Sequence, residues 1–269
     1  MTLFYLAVFI FGCLIGSFLN CVLYRTENKK SFLKGRSFCP KCKHILSWCD
    51  LLPVFSFIFL KARCRYCHKK ISWQYVAVEI ATGGLFVLIF NFQFSIFNGF
   101  SIFQFLNLAY LLLVFCLLEI IFIYDLKHYI IPDKFVFLAI GVALFFNSFN
   151  FFVNCKLQIA NCNSFVNIIE AIIASAGLFF LIWLISKGAW MGFGDVKLAF
   201  LMGLLLGWPN ILVALFFSFV VGSVVGLILM AQKKKGLKSQ LPFGPFLVGG
   251  TLFSFLWGQK IVSWYLSLI

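Results

Sequence analysis

The sequence predicts an all-α, polytopic membrane protein of about seven to eight transmembrane helices, with a cytoplasmic zinc-binding loop between helices 1 and 2. Of its 269 residues, 63% are hydrophobic and 11% are charged, whereas about a quarter of a soluble domain is charged. A net charge of +14 would indicate a nucleic-acid partner in a soluble protein. In a membrane protein it reports basic cytoplasmic loops, so we predict the lipid bilayer as a partner and no nucleic acid.

Long apolar runs place the individual helices, because a helix needs about 20 apolar residues to cross the hydrocarbon core. The runs are 3–24, 74–91, 103–124, 135–153, 165–186, 196–207, 210–231 and 243–268. The run 196–207 is short, so we expect it to be tilted or to begin below the membrane surface. The first run lacks a basic start and an Ala-x-Ala cleavage site, which predicts a retained helix rather than a removed signal peptide.

The distribution of Lys and Arg predicts the orientation. Residues 25–73 hold twelve Lys or Arg and two acids, which places this loop in the cytoplasm and the N-terminus in the periplasm. Alternation of the spans then puts three more loops on the cytoplasmic side, namely 125–134, 187–195 and 232–242. The loops predicted outside are 92–102, 154–164 and 208–209. Asp125 and Asp195 are therefore expected at the cytoplasmic ends of two spans, at similar depth.

The long basic loop carries two Cys-x-x-Cys pairs separated by 21 residues: Cys39, Cys42, Cys64 and Cys67. Four thiolates at this spacing predict a closed, tetrahedral, structural zinc site. Reduced cysteines without a metal, or lipidated cysteines, are the alternative. Cys49 lies outside both pairs. The apolar stretch 51–60 between the pairs is too short to span, and could lie on the membrane surface or pack beneath the metal site.

Asp125 and Asp195 are candidates for one catalytic site, because a carboxylate at the edge of hydrocarbon is costly and indicates function. Two carboxylates at close range share a proton, so one can act as a base and the other as an acid. Such a pair can activate water for attack on a peptide bond. Gly192 and Gly194 precede Asp195 and would allow close backbone approach, and Lys197 could tune the nearby charge. The alternative is a flexible turn before a helix.

Two neighbouring segments have simpler structural interpretations. Asp133 follows a proline, which is typical of a helix start. The last span opens on a motif that could bind an extended substrate through its backbone, or could only begin a helix. Its residues are Pro242, Phe243, Gly244 and Pro245.

Four stretches together resemble the bacterial type IV prepilin peptidases, which are aspartic proteases of the Gly-x-Gly-Asp type. They are Gly16 to Arg25, the two Cys-x-x-Cys pairs, Asp125 to Asp133, and Gly192 to Leu198 with Leu241 to Pro245. They run in family order across nearly the whole chain. The Gly-x-Gly-Asp element alone also occurs in presenilin-like and archaeal preflagellin peptidases. Tyr124 and the apolar linker between the cysteine pairs depart from many members, but neither touches a catalytic position.

The resemblance implies an enzyme of the bacterial inner membrane that cleaves prepilins and type II secretion pseudopilins. Cleavage would follow the glycine that ends a short basic leader, on the cytoplasmic side, with Asp125 and Asp195 as catalytic residues. Many members also methylate the new N-terminal residue with S-adenosylmethionine. The resemblance assigns that activity to the N-terminal part, here residues 1–102, and the peptidase to residues 103–269.

Three residues are candidates for methyl transfer: Asn20, Arg25 and Glu79. Glu79 is an intramembrane carboxylate close to the cysteine loop, and could orient the substrate's ammonium group or the cofactor. It could equally pair with a nearby basic residue. Different functions also remain open at this point: a presenilin-like protease of signal peptides, a proton-coupled transporter, and a zinc-loop adaptor without chemistry. A transporter predicts carboxylates near the bilayer midplane, whereas Asp125 and Asp195 are expected at one edge.

Overall fold

A computed structural model describes residues 2–29, 31, 35–96, 102–156, 163–232 and 241–268, and within these ranges the protein is all-helical apart from loops. A short 3-10 turn covers Trp48–Leu51, and two isolated β-bridges lie in the cysteine loop. The α-helices are α1 (Thr2–Glu27), α2 (Phe55–Phe59), α3 (Trp73–Ile96), α4 (Ile102–His128), α5 (Asp133–Lys156), α6 (Asn163–Ser186), α7 (Phe193–Leu206), α8 (Asn210–Ala231) and α9 (Gly244–Leu266).

The predicted all-α fold is confirmed, and each predicted span coincides with a helix. Six helices of the described chain are long and apolar enough to cross a membrane: α1, α3, α4, α5, α6 and α8. With 14 residues, α7 is shorter than the usual span of about 20 residues. The spanning role of α7 and α9 stays a prediction. The predicted loops 92–102, 154–164 and 232–242 lie partly outside the described residues.

The chain divides into two compact units, Met1–Cys116 and Leu117–Ile269. In the first, α1 packs against α3 at glycines. A Cβ at Gly12 would lie 2.8 Å from Cα of Gly83, and one at Gly16 would lie 2.8 Å from Cα of Glu79. The Gly-x-x-x-Gly spacing of α1 therefore brings the two backbones into close contact, as is common between membrane helices.

In the second unit, α7 is the central helix. It packs against α5, α6, α8 and α9, and most of its residues are buried. Leu198, Leu201 and Met202 are fully buried. The short helix α7 is therefore surrounded mainly by protein rather than by lipid. This helix carries Asp195 in its first turn.

Candidate functional site

Two aspartates come together in the second unit. Asp125 lies three residues before the end of α4, and Asp195 lies in the first turn of α7. Both are buried, with 3% and 8% of their surface exposed. The two carboxylates are close enough to interact electrostatically. The structure therefore brings together the pair that the sequence singled out.

Ile131 fills the space between the backbones that hold these carboxylates. Its Cβ lies 3.0 Å from the point where a side chain at Gly194 would begin, and its Cδ1 lies 3.4 Å from the same point at Gly244. Gly194 precedes Asp195, and the N–H of Gly244 donates a 3.1 Å hydrogen bond to Oδ2 of Asp125. Sequence reasoning missed Ile131, because an isoleucine in the predicted loop 125–134 gives no sign of its contacts in the fold.

The carboxylate of Asp125 caps a helix other than its own. From the sequence, no capping role was apparent, because Asp125 lies near the C-terminal end of its span. In the structure it accepts the N–H of Gly244, the first residue of α9. A negative charge is favourable at a helix N-terminus, and Asp195 occupies the same kind of position in α7. The partners are 119 residues apart, so local sequence gives no signal for this contact.

One oxygen of Asp195 is available for further hydrogen bonding. Among the described residues, Oδ1 of Asp195 is buried and has no hydrogen-bond partner. Its own N–H donates to the carbonyl of Gly192 at 3.2 Å, which fixes the first turn of α7. A buried acceptor without a partner is costly unless water or a ligand supplies a donor. This oxygen is therefore suited to hold a water molecule or a substrate N–H.

The two glycines before Asp195 have different roles. Gly194 allows the side chain of Ile131 to approach its backbone closely. Gly192 caps α7 with φ −74° and ψ 149°, which residues other than glycine adopt readily, so this conformation alone does not require glycine. The positive φ in this stretch occurs at Lys187 and Gly188 instead, at the end of α6.

Lys197 pairs with Asp133. Its Nζ lies 2.6 Å from Oδ1 of Asp133, the first residue of α5, and 5.0 and 5.3 Å from the ring centroids of Phe137 and Phe193. Asp133 starts α5 as the sequence indicated. Lys197 follows Asp195 by two residues, so this contact connects the start of α7 to the start of α5.

The motif 242–245 forms the start of α9. Phe243 takes the N-cap position and Pro245 lies in the first turn, which is the simpler of the two predicted roles. Phe243 also contacts the rings of Phe179 and Phe219. Because the N–H of Gly244 is donated to Asp125, it is not open to an extended substrate.

The four predicted metal ligands form one cluster. The sulfur atoms of Cys39, Cys42, Cys64 and Cys67 all lie within 4.8 Å of one another. A tetrahedral zinc with bonds of about 2.3 Å places its sulfurs about 3.8 Å apart, and Sγ of Cys39 and Cys67 are separated by 4.0 Å. This cluster could hold zinc. Burial raises the pKa of the Cys39 thiol, but neighbouring N–H and thiol groups outweigh it and lower the pKa to about 7.

The two cysteine pairs adopt matching backbone turns. Each first cysteine donates its N–H five residues ahead, from Cys39 to His44 and from Cys64 to Lys69. The residue after each second cysteine has a positive φ, 60° at Lys43 and 55° at His68. This repeated geometry directs all four thiols to one point.

Side-chain contacts around the cysteine cluster connect the two turns. Asp50 forms an ion pair with Arg65 at 2.8 Å and accepts a hydrogen bond from the hydroxyl of Tyr66, while the Tyr66 ring stacks on His44. Burial raises the pKa of Asp50, but hydrogen bonds from Ser47 and the Arg65 charge lower it overall. These contacts hold the loop around the cluster.

The three methyl-transfer candidates line one cavity in the first unit, of about 490 Å³. Asn20 donates to the carbonyl of Tyr75 at 2.9 Å, and Arg25 donates to that of Gly35 at 2.8 Å. Glu79 accepts the N–H of Val54 at 2.8 Å. The cavity thus combines a carboxylate and a guanidinium, and aromatic side chains line it too. Sequence reasoning missed the contact between Val54 and Glu79.

The fold and the two sites together define the class of protein: a multi-pass helical membrane protein with a buried aspartate pair and a four-cysteine cluster. Residues 10–93 match the family model of the bacterial peptidase A24 N-terminal domain, and residues 111–227 match that of the type IV leader peptidase family. The chain belongs to the type IV leader peptidase family, a family of proteases, and is a multi-pass protein of the inner membrane.

Relatives extend over the whole chain. A prepilin leader peptidase/N-methyltransferase of Legionella pneumophila is 30% identical over 98% of this chain and 94% of its own length. Proteins of the same name from Bacillus subtilis and Aeromonas salmonicida are 29% and 28% identical, covering 97% and 99% of this chain and 97% and 95% of their own. The search of solved structures gave no significant match.

Proposed function

We propose that this protein removes the leader of prepilins and pseudopilins by an aspartic mechanism and then methylates the new N-terminal residue. The observation that carries the peptidase proposal is the buried pair of Asp125 and Asp195 in one compact unit. The names of the relatives support prepilins as substrates. Cleavage follows the glycine that ends the basic leader, with the N-terminus of the enzyme in the periplasm and its aspartates at the cytoplasmic face.

The carboxylate pair supplies both proton transfers of peptide hydrolysis. Two buried carboxylates at close range hold one proton between them, because both negative charges together are unfavourable. The ionised member removes a proton from water, whose oxygen attacks the carbonyl carbon of the scissile bond. The protonated member donates to the developing oxyanion. When the intermediate collapses, the C–N bond breaks, and the leaving amine takes up the proton that the first carboxylate removed from water.

The surrounding contacts suggest different tasks for the two aspartates. Asp125 is oriented by the N–H of Gly244, which stabilises its ionised form. Asp195 retains an oxygen without a partner among the described residues, and this oxygen is placed to receive water. Gly194, Gly192 and Lys197 support the first turn that carries Asp195.

Removal of either carboxylate tests the mechanism. Purified protein in detergent is incubated with a prepilin, and leader removal is followed by the mass of the product. Asp125→Asn and Asp195→Asn should each lower the rate by about a hundredfold to ten-thousandfold, because general acid–base catalysis contributes about 10² to 10⁴. Glu170→Gln, an exposed carboxylate on α6, is the matched control and should cleave normally. Cleavage that persists in both asparagine variants would exclude the aspartic mechanism.

For methyl transfer we propose the cavity lined by Asn20, Arg25 and Glu79, in the predicted N-terminal domain of residues 1–102. S-adenosylmethionine supplies the methyl group when bound. The residues present fit its charges, because Arg25 can bind a carboxylate and Glu79 can bind a cationic centre. Glu79 can also orient the new ammonium group of the substrate, whose amine must lose a proton before it accepts the methyl group.

The methyl-transfer proposal is tested separately from cleavage. With S-adenosylmethionine added, mass spectrometry of the mature pilin distinguishes methylated from unmethylated N-termini. Glu79→Gln should reduce methylation strongly and leave cleavage intact, while Glu27→Gln, at the end of α1, should change neither. Normal methylation by Glu79→Gln would refute this assignment of the cavity.

We also propose that zinc is structural here. Four cysteine ligands fill a tetrahedral shell and leave no position for substrate or water. The metal would hold a basic loop that has little apolar core of its own.

A further inference from the structure

The segment between the two cysteine pairs lies against the first turns of α3. The N–H of Val54 donates to Oε2 of Glu79 at 2.8 Å. Glu79 is six residues, or about 9 Å, beyond Trp73, where α3 and its membrane span begin. A helical side chain leans back toward the N-terminus of its helix, which takes up part of this depth but not all of it. Val54 therefore reaches below the start of the span.

A ring contact places α2 at the level of Trp73, the first residue of α3. The buried Phe57 packs edge-on against Trp73, with ring centroids 4.9 Å apart. Trp73 itself is 72% exposed at the start of its span, a position where tryptophan is common at membrane interfaces. Because Val54 contacts α3 at Glu79 and Phe57 contacts it at Trp73, α2 lies beside α3 and not above it.

Large apolar side chains of this segment face outward. Phe55, Ile58 and Phe59 are 56%, 64% and 81% exposed, and Leu52 is 43% exposed. These side chains lie beside the first turns of α3, a helix long and apolar enough to cross a membrane. Val54 has φ 61° and ψ −51°, an unfavourable conformation for a β-branched residue, so the segment is held in this position by its surroundings.

The charges that follow the segment suit a phospholipid surface. Lys61 and Arg63 come directly after α2 and are exposed. Aromatic residues beside Lys and Arg are the composition of segments that lie in the interface of anionic membranes. We propose that residues 52–59 insert sideways into the adjacent leaflet and bind anionic phospholipid, with Phe55, Ile58 and Phe59 among the acyl chains.

This insertion gives the cavity a wall that borders lipid. Leu51, Ser56, Phe57 and Leu60 line the cavity from the inner face of the same segment. The segment thus separates the cavity from the acyl chains. The proposal does not depend on the activity of the protein.

Photo-crosslinking tests the insertion directly. The full chain is placed in nanodiscs of phosphatidylethanolamine and phosphatidylglycerol, with Phe55→p-benzoylphenylalanine or Phe59→p-benzoylphenylalanine. Lys41→p-benzoylphenylalanine, at an exposed position inside the first cysteine pair, is the control. After irradiation, mass spectrometry should find several-fold more lipid adduct at positions 55 and 59 than at 41. Unchanged metal content shows that each variant keeps the cysteine loop folded.

Other adducts would overturn the proposal. Equal and low lipid labelling at 59 and 41 would show that the segment is in water. Crosslinks from 59 to the same chain, or to a second copy, would show that protein covers this face. With prepilin present, a crosslink to the pilin that replaces the lipid adduct would make the face a substrate surface instead.

Discussion

At the scale of single residues, the aspartate pair depends on backbone groups that the sequence does not reveal. Asp125 and Asp195 could be identified because acids are rare in this chain and both occur at span ends. The N–H of Gly244 and the side chain of Ile131, which arrange the pair, could not be identified. These contacts join residues far apart in sequence, and one sequence gives only local patterns.

The close contact between Gly244 and Asp125 predicts how a side chain at position 244 would affect cleavage. A Cβ at Gly244 would lie 2.6 Å from Oδ2 of Asp125, so the carboxylate must move away and lose its hydrogen bond. Gly244→Ala should therefore lower the rate of prepilin cleavage about a hundredfold, as expected for a displaced catalytic group. Gly249→Ala is the matched control on the same helix, because a Cβ there meets nothing within 4 Å. Equal rates for the two variants would show that this contact does not orient Asp125.

At the scale of helices, the sequence predicted most elements because each is a long apolar run bounded by polar residues. The short elements of the cysteine loop were not predicted as helices, since α2 has only five residues and no periodic pattern. The start of α7 was also displaced: the predicted span began at 196, whereas the helix begins at Phe193 and includes Asp195. Hydrophobicity marks where a chain is apolar, but capping and ion pairs decide where a helix starts.

The ion pair between Lys197 and Asp133 should position α7. Exposed pairs contribute about 1 kcal/mol or less, and Asp133 is 60% exposed, so loss of the pair should reduce cleavage by about fivefold or less. We expect this reduction in kcat for Asp133→Asn, with KM unchanged. The exchange Asp133→Lys with Lys197→Asp should recover part of it, because the attraction between α5 and α7 is restored. A double variant that is slower than both single variants would argue against the positioning role.

The contact between α1 and α3 offers a comparison of neighbouring glycines. A Cβ at Gly83 would lie 2.7 Å from Sγ of Cys13 and 2.9 Å from the ring of Phe9, whereas one at Gly84 meets nothing within 4 Å. Gly83→Ala should destabilise the protein by about 1 to 3 kcal/mol, as overpacking does. Gly84→Ala should stabilise it by up to about 1 kcal/mol, because alanine favours helix. Thermal melting in detergent measures both, and a lower Tm for Gly84→Ala than for Gly83→Ala would contradict this packing.

At the scale of the whole molecule, the chain consists of two compact units that carry different candidate sites. The first holds the cysteine cluster and the cavity, and the second holds the aspartates. The boundary at 102 between the two activities stays a prediction; by packing, the compact units divide after Cys116, inside α4. A loop marks a boundary in sequence, but packing can divide a chain within one continuous helix.

This division predicts that loss of metal affects the two activities unequally. The double variant Cys39→Ser with Cys64→Ser should lose about one zinc ion per chain, because two of four ligands are removed. The cysteine loop forms part of the cavity wall, so methylation should fall sharply. Cleavage should fall much less, because Asp125 and Asp195 belong to the other unit. Metal analysis, product mass and N-terminal methylation are measured on the same preparation.

Cys49→Ser is the matched control for this variant. Cys49 lies in the same loop but outside the cluster, so its replacement should leave zinc content and both activities unchanged. If the double serine variant retains its metal, the four cysteines are not the zinc ligands. If cleavage and methylation fall in parallel while the purified protein remains folded, the aspartate site depends on the cysteine loop, and the two units do not act independently.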